Sequence, residues 1–468
     1  MEGISPQVLL LIGVIGLCGV ALAVFKFKAA MLIFGGMLMA SALAAPADWQ
    51  GRPIQTWLLP IQARRSEIFA AGGALLLVSM IFHLSQVKIS RITAQGILFI
   101  CIGFYGAFVR AVGGDLSSGA ESFAFAFLTL VPAVIVLPSL FHDKEDAIKF
   151  LRIIGLVSIA WIAACAVQFV VRWKVLVVSG GYTRFNGMLA NPQHAGAFLA
   201  FCVTTTAFLM LNDTKARYRP IWACVAAVNM VLVLWTGSRT GLGMSAIGLA
   251  SAFYSRIGRS IILLPIAGIV LVAAMSVIQG TGTFNVERLT STQDTRTRAW
   301  AVLWEEFLER PMFGTAMAEQ TSFSENSLLM ALAGFGIGMG LIVLAQILLM
   351  LFKSIIIYKA RFSLHDPDEK RLADLVVGFA GMYLFGAMLE GYMISRVSAP
   401  LAFLLISSGL GAWLERRARD ERAIDRELLE LDPAQLEQDD LSEYGDFSDY
   451  GGPGDTGRHD ALTDSRVA

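Results

Sequence analysis

Residues 326–352 read NSLLMALAGFGIGMGLIVLAQILLMLF, a run without a charged side chain. It is longer than the roughly 20 residues with which an α-helix crosses about 30 Å of hydrocarbon. In lipid such a segment must satisfy its own backbone hydrogen bonds, which selects a helix. Comparable runs, each bounded by charges, recur near 8–25, 29–45, 67–86, 92–110, 122–141, 150–172, 193–211, 219–236, 240–255, 260–278, 372–392 and 397–414. Together they predict an all-α polytopic membrane protein of about 12–13 transmembrane helices. Composition agrees, with 56% hydrophobic and 16% charged residues and a mean hydropathy of +0.63. Those values exclude a soluble enzyme.

Formal charge is zero, so no global field argues for nucleic acid as a partner. Cys18, Cys101, Cys165, Cys202 and Cys224 all fall inside apolar runs without metal-ligand spacing. They read as small hydrophobes. The first run is too long for a signal-peptide core and is followed by Lys26 and Lys28, so it reads as the first span.

Basic residues orient the bundle. Lys26 and Lys28, Lys88 and Arg91, Lys144 to Arg152, Lys215 to Arg219, Arg256 and Arg259, and Lys353 to Arg371 fall on one side by this count of spans. Arg416, Arg417 and Arg419 join them after the last span. An outward N-terminus and an inward C-terminus follow. On the outer side Lys174 is the lone lysine among arginines, and guanidinium forks recognise phosphate and carboxylate bidentately.

The one large polar interruption, 279–325, lies on that outer side and carries Arg288, Arg296, Arg298 and Arg310 with no lysine. Within it 296–310, RTRAWAVLWEEFLER, places Trp300, Leu303, Trp304, Phe307 and Leu308 on one helical face before Pro311 stops the helix. The spacing predicts an interfacial helix, either sealing the bundle or holding Arg296 and Arg298 at headgroup depth. Beyond Leu414 the chain turns acidic, so 1–414 reads as the membrane bundle and 415–468 as a cytoplasmic, mostly disordered tail with a short helix near Arg422 to Leu431.

Two tighter outer turns add arginines. Arg239 sits in Trp235-Thr236-Gly237-Ser238-Arg239-Thr240-Gly241 between two spans, where it either binds an anion or reaches lipid headgroups. Arg184 precedes Asn191-Pro192-Gln193-His194, with Pro192 suited to the first turn of the next span. His194 is the lone outer histidine and is either a structural hydrogen-bonder or a base. Glu325 is the better base, because its place at a loop-to-span junction can raise its pKa; alternatively it complements a helix N-terminus capped by Ser324. No Asp, Glu or Lys is placed near the middle of a span, which disfavours a coupled transporter. No cofactor is called for, and no metal or nucleotide-phosphate motif is present.

In order, the chain presents RFNGMLANPQHAG (184–196), WTGSRTGLGMSAIGLA (235–250), RTRAWAVLWEEFLERPMFGTA (296–316) and SENSLLMALAGFGIGMG (324–340). This series resembles the O-antigen ligase and polymerase superfamily of bacterial envelope glycan enzymes, over roughly 180–345. The resemblance implies a metal-independent glycosyltransferase of the bacterial inner membrane, working at the periplasmic face. Its donor is a polyprenyl-diphosphate-linked glycan and its acceptor a hydroxyl of a glycan or lipid. By position Arg184, Arg239 and Arg296 match the diphosphate-binding arginines; Glu325 then serves as base, with Arg298, Asn326 and His194 around the substrate. Where ligases of the family carry a His-Asn pair, this chain has Glu325-Asn326. That departure favours polymerisation of exopolysaccharide, capsule or O-antigen repeats over ligation to lipid A-core. A transporter or flippase of the same lipid-linked glycan is the rival of another class. An envelope-assembly subunit docking partner proteins through its tail is a further one.

Overall fold

The computed structural model describes residues 18–44, 56–113, 115–179, 183–257, 296–316, 321, 323, 325–394 and 398–430. Most of the expected span 8–25, the span 260–278, the loop before Arg296 with Arg288, Ser324 and the chain beyond 430 lie outside them.

The described helices are α1 (Ala30–Ser41), α2 (Leu59–Ala63), α3 (Arg65–Phe82), α4 (Ala94–Val112), α5 (Leu116–Leu140), α6 (Lys144–Arg172), α7 (Pro192–Asn212), α8 (Arg219–Thr236), α9 (Arg239–Ile257), α10 (Arg296–Glu309), α11 (Ser327–Ala360), α12 (Pro367–Leu389) and α13 (Ala399–Glu430). Eight of them, α3 to α8 with α11 and α12, are long and apolar enough to cross a membrane. The chain is thus a polytopic helical membrane protein. Among the described residues the one sheet is a short antiparallel ribbon, β1 (Val177–Ser179) with β2 (Thr183–Phe185), pairing Val178 with Arg184. The last helix does not stop at 414 but continues to Glu430, so the start of the expected tail is helical. Two compact units result, 1–419 and 420–468.

Helix α7 is the centre of the first unit. It is 83% buried, against 28% for α3, α8 and α11, and packs on α6, α8 and α9. Small residues let its backbone meet α9. A Cβ added at Gly241 would lie 2.8 Å from Gly196 Cα, so only glycine permits this crossing. Aromatic layers extend the core: Phe201 of α7 stacks on Phe403 of α13 at 4.4 Å and meets Phe379 of α12 edge-on. Phe169, Val170, Leu348 and Phe352 stay exposed on the outside, a surface that only lipid would cover favourably.

Ion pairs gather the basic loops at one end of this unit. Lys28 bonds Asp146 at 2.6 Å, Arg152 reaches Asp213, Lys144 joins Asp366, Arg361 pairs with Asp374 at 2.7 Å and Arg417 with Glu369 at 3.2 Å. These contacts bring together the helix ends that the charge count put on one side.

Helix α11 is broken. Gly336 has φ 77° and ψ −171°, far from helical values, and Leu332 lies against Gly340, although residues eight apart in a straight helix are separated by about 12 Å. The segment after α10 fills the break. Ile337 N–H donates to the Pro311 carbonyl at 2.8 Å and Thr315 N–H to the Ala333 carbonyl at 2.9 Å. The backbone groups freed by the kink are therefore satisfied by protein. Gly314, at φ 59°, approaches the same carbonyl so closely that a Cβ would collide.

Candidate functional site

At the opposite end of the first unit the first turns of α9, α10 and α11 meet the last turn of α12. Arg296, the first residue of α10, donates from Nη2 to Glu390 Oε1 at 3.2 Å and to Thr240 Oγ1 at 3.0 Å. The Thr240 hydroxyl in turn donates to Glu390 Oε1 at 3.3 Å. Glu390 follows α12 directly, and its side chain is 1% exposed. Ser327, which opens α11, donates its hydroxyl to the Glu390 carbonyl at 2.7 Å and accepts from Met393 N–H at 3.3 Å. Four chain segments far apart in sequence thus bring together one carboxylate and one guanidinium.

Electrostatics set Glu390 apart. Burial pushes its carboxyl up to about 7, and Arg296, Thr240 and Arg184 offset this only in part, while the nearby charge of Glu325 adds to it. A carboxyl titrating near neutrality is suited to accept a proton there. Glu325 is also raised by burial, with Arg296 opposing. Its Oε2 is buried and has no hydrogen-bond partner among the described residues. So Arg296 acts on two carboxyls, both shifted toward the neutral form.

Around this core the expected residues take different places. Arg184, on β2, donates from Nε to the Thr236 carbonyl at 2.8 Å, satisfying one of the last carbonyls of α8. Gly237 then reverses the chain in a left-handed turn, with φ 58°, and places Arg239 exposed on the first turn of α9 beside buried Thr240. His194 lies in the first turn of α7, which Pro192 opens and Asn191 caps. Its ring meets Tyr392 at 5.8 Å, edge to face. The Tyr392 hydroxyl is buried without a hydrogen-bond partner among the described residues.

The sequence reading is corrected at four points. Asn326, expected beside substrate, is the N-cap of α11; its Oδ1 accepts from Leu328 and Leu329 N–H at 3.0 and 3.1 Å with φ 64°. The cap is therefore not Ser324. Arg298 is exposed on α10 and does not join Arg296. The apolar stripe of α10 is divided: Ala299, Leu303 and Phe307 are buried where α10 packs on α11, whereas Trp304 and Leu308 remain 46% and 59% exposed. Finally, Glu390 was overlooked because it sits at the edge of an apolar run. The signal was there, since it is the one acidic residue between Asp374 and Glu415, and a lone carboxylate in such a run is a functional candidate.

Among the described residues no group of His, Cys, Asp and Glu is arranged to hold a metal ion. No protein-family model matches the chain, and a search of curated proteins finds no match either.

Proposed function

We propose that the chain is a multi-pass glycosyltransferase of the bacterial inner membrane. It joins lipid-diphosphate-linked oligosaccharides at the periplasmic face and polymerises an envelope polysaccharide. The C-terminus is cytoplasmic, and the complete bundle has 12–13 spans.

One observation carries this reading. Arg296 and Arg184, from separate segments, act on a single buried carboxylate at one end of the bundle, with Arg239 exposed on the adjoining turn. A diphosphate offers the same anionic oxygens as that carboxylate and more charge. Fixed guanidinium groups favour its departure, because negative charge grows on the leaving oxygen in the transition state. The acceptor hydroxyl gives its proton to Glu325 or Glu390 as its oxygen bonds to the anomeric carbon. The bond from that carbon to the diphosphate oxygen breaks with its electron pair on the diphosphate. Glu390 suits the proton-accepting role by its titration near 7, Glu325 by its uncommitted Oε2.

The test is to incubate the purified protein in lipid with a polyprenyl-diphosphate oligosaccharide and resolve products by length. A ladder of repeats is expected. Transfer seen only with a second acceptor would replace the polymerase with a ligase. Intact donor moved across the bilayer would refute catalysis.

A further inference from the structure

Glu390 lies just past the end of α12. Its N–H still bonds the Gly386 carbonyl at 2.8 Å, but its backbone is already extended, with φ −142° and ψ 153°. The helix therefore does not fix where its carboxyl points, and a rotation at this residue would carry the group away from Arg296. Two buried hydroxyls from other segments fix it instead.

Ser327 acts on the backbone. Its hydroxyl donates to the Glu390 carbonyl at 2.7 Å and accepts from Met393 N–H at 3.3 Å, tying both ends of the turn 390–393 to the first residue of α11. Thr240 acts on the side chain. It donates to Glu390 Oε1 at 3.3 Å and accepts from Arg296 Nη2 at 3.0 Å, so it sets the alignment of carboxylate and guanidinium. Ser327 is 0% and Thr240 1% exposed, which leaves neither hydroxyl a face toward a ligand.

Ser327 is held in turn by the break in α11. Beyond the half-helix 327–335 the segment after α10 enters that break, where Pro311 and Thr315 bond Ile337 and Ala333. Arg296 opens α10. A closed ring of contacts thus runs from Arg296 along α10, through 311–315 into the break, back along the half-helix to Ser327, and through Glu390 to Arg296. Such support holds a reacting pair within a narrow range of geometry.

We infer that Ser327 and Thr240 are positioning residues for Glu390, an assignment that rests on the glycosyl-transfer reading for its effect on turnover. Ser327 holds the backbone from which the carboxyl projects, and Thr240 holds Oε1 on Arg296.

The full-length protein in lipid is followed in two ways: transfer kinetics with a polyprenyl-diphosphate oligosaccharide, and titration of the Glu390 carboxyl through its infrared band, assigned by its loss in Glu390→Gln. Thr240→Val, which keeps the shape and removes the hydroxyl, and Ser327→Ala are each expected to lower kcat by about 10²-fold, the cost of an ångström-scale misplacement, with KM little changed. Both should move the Glu390 midpoint upward, because the charged carboxylate loses a donor or its alignment with Arg296. Thr240→Ser, which keeps the hydroxyl, should restore most of kcat and the parent midpoint. Ser245→Ala, which removes a buried hydroxyl of α9 bonded to the Gly241 carbonyl at 2.9 Å, should leave both readouts unchanged. Should Ser327→Ala fail to fold, the two Thr240 variants decide. Parent midpoints in Thr240→Val and Ser327→Ala, or equal losses in Thr240→Val and Thr240→Ser, would overturn the positioning role. Shifted midpoints in variants of a parent that transfers no sugar would uphold the placement of Glu390 and count against the glycosyl-transfer reading alone.

Discussion

The two ends of the bundle use the same chemistry, arginine against carboxylate, with opposite results. At the end rich in ion pairs, burial pushes Asp213 up, but hydrogen bonds from Arg152, the Lys215 backbone and Trp222 outweigh it and hold the carboxyl below its ordinary range. Trp222 Nε1 and Arg152 Nε donate to the same Oδ2 at 2.7 and 3.0 Å. At the other end Glu390 lies deeper among protein atoms, and one guanidinium and one hydroxyl leave it near 7. Depth of burial and the number of donors together decide the sign. A carboxylate with several donors is a structural staple, whereas one with few is available for proton transfer.

Breaking the staple should give the largest effect on stability. Arg152→Ala leaves Asp213 buried without its main partner and is expected to destabilise the fold by about 3–5 kcal/mol, read as a drop in unfolding temperature with turnover per folded molecule preserved. A variant as stable as the parent would remove the distinction between the two ends. At the other end the effect should fall on chemistry. Arg296→Ala and Arg239→Ala are each expected to lower product formation by about 10²–10³-fold, with normal amounts of protein in the membrane. Full activity in both would end the diphosphate assignment.

Titration sharpens the contrast. Because the Glu390 carboxyl is raised in the folded protein from 4.5 to about 7, its favourable contribution is complete below about pH 4.5 and is lost as pH rises through 7, by about 3 kcal/mol as an order of magnitude. Unfolding temperature should therefore fall between about pH 5 and 7 in the parent and level off above about pH 8, with a shallower fall in Glu390→Gln. An unchanged slope would move the titrating group elsewhere. The smallest expected difference separates the remaining candidate bases. Glu325→Gln should reduce turnover severalfold more than His194→Ala, whose ring meets Tyr392; the reverse order would make His194 the base.

Much of this could be read along the chain. The start of α10 at Arg296, its end before Pro311, and Pro192 in the first turn of α7 follow from local signals. So does the sorting of the basic loops to one end, because each apolar run of spanning length reverses the side. The two-way packing of α10 was not legible, since five apolar residues on one helical face look alike until α11 takes Leu303 and Phe307 and leaves Trp304 and Leu308 outside. The break at Gly336 was equally hidden. A glycine in an apolar run reads as a tolerated small residue, and only the loop backbone at Pro311 and Thr315, bonded to Ile337 and Ala333, shows that it must leave the helix.

By itself the sequence determined that this is a polytopic helical membrane protein and which loops carry arginine, because length, apolarity and charge act over a single helix. Only the tertiary structure decided which arginine meets which carboxylate. Arg296 and Glu390 are brought together by the ends of α9, α10, α11 and α12, and the energy that places them comes from packing between segments that no local pattern records.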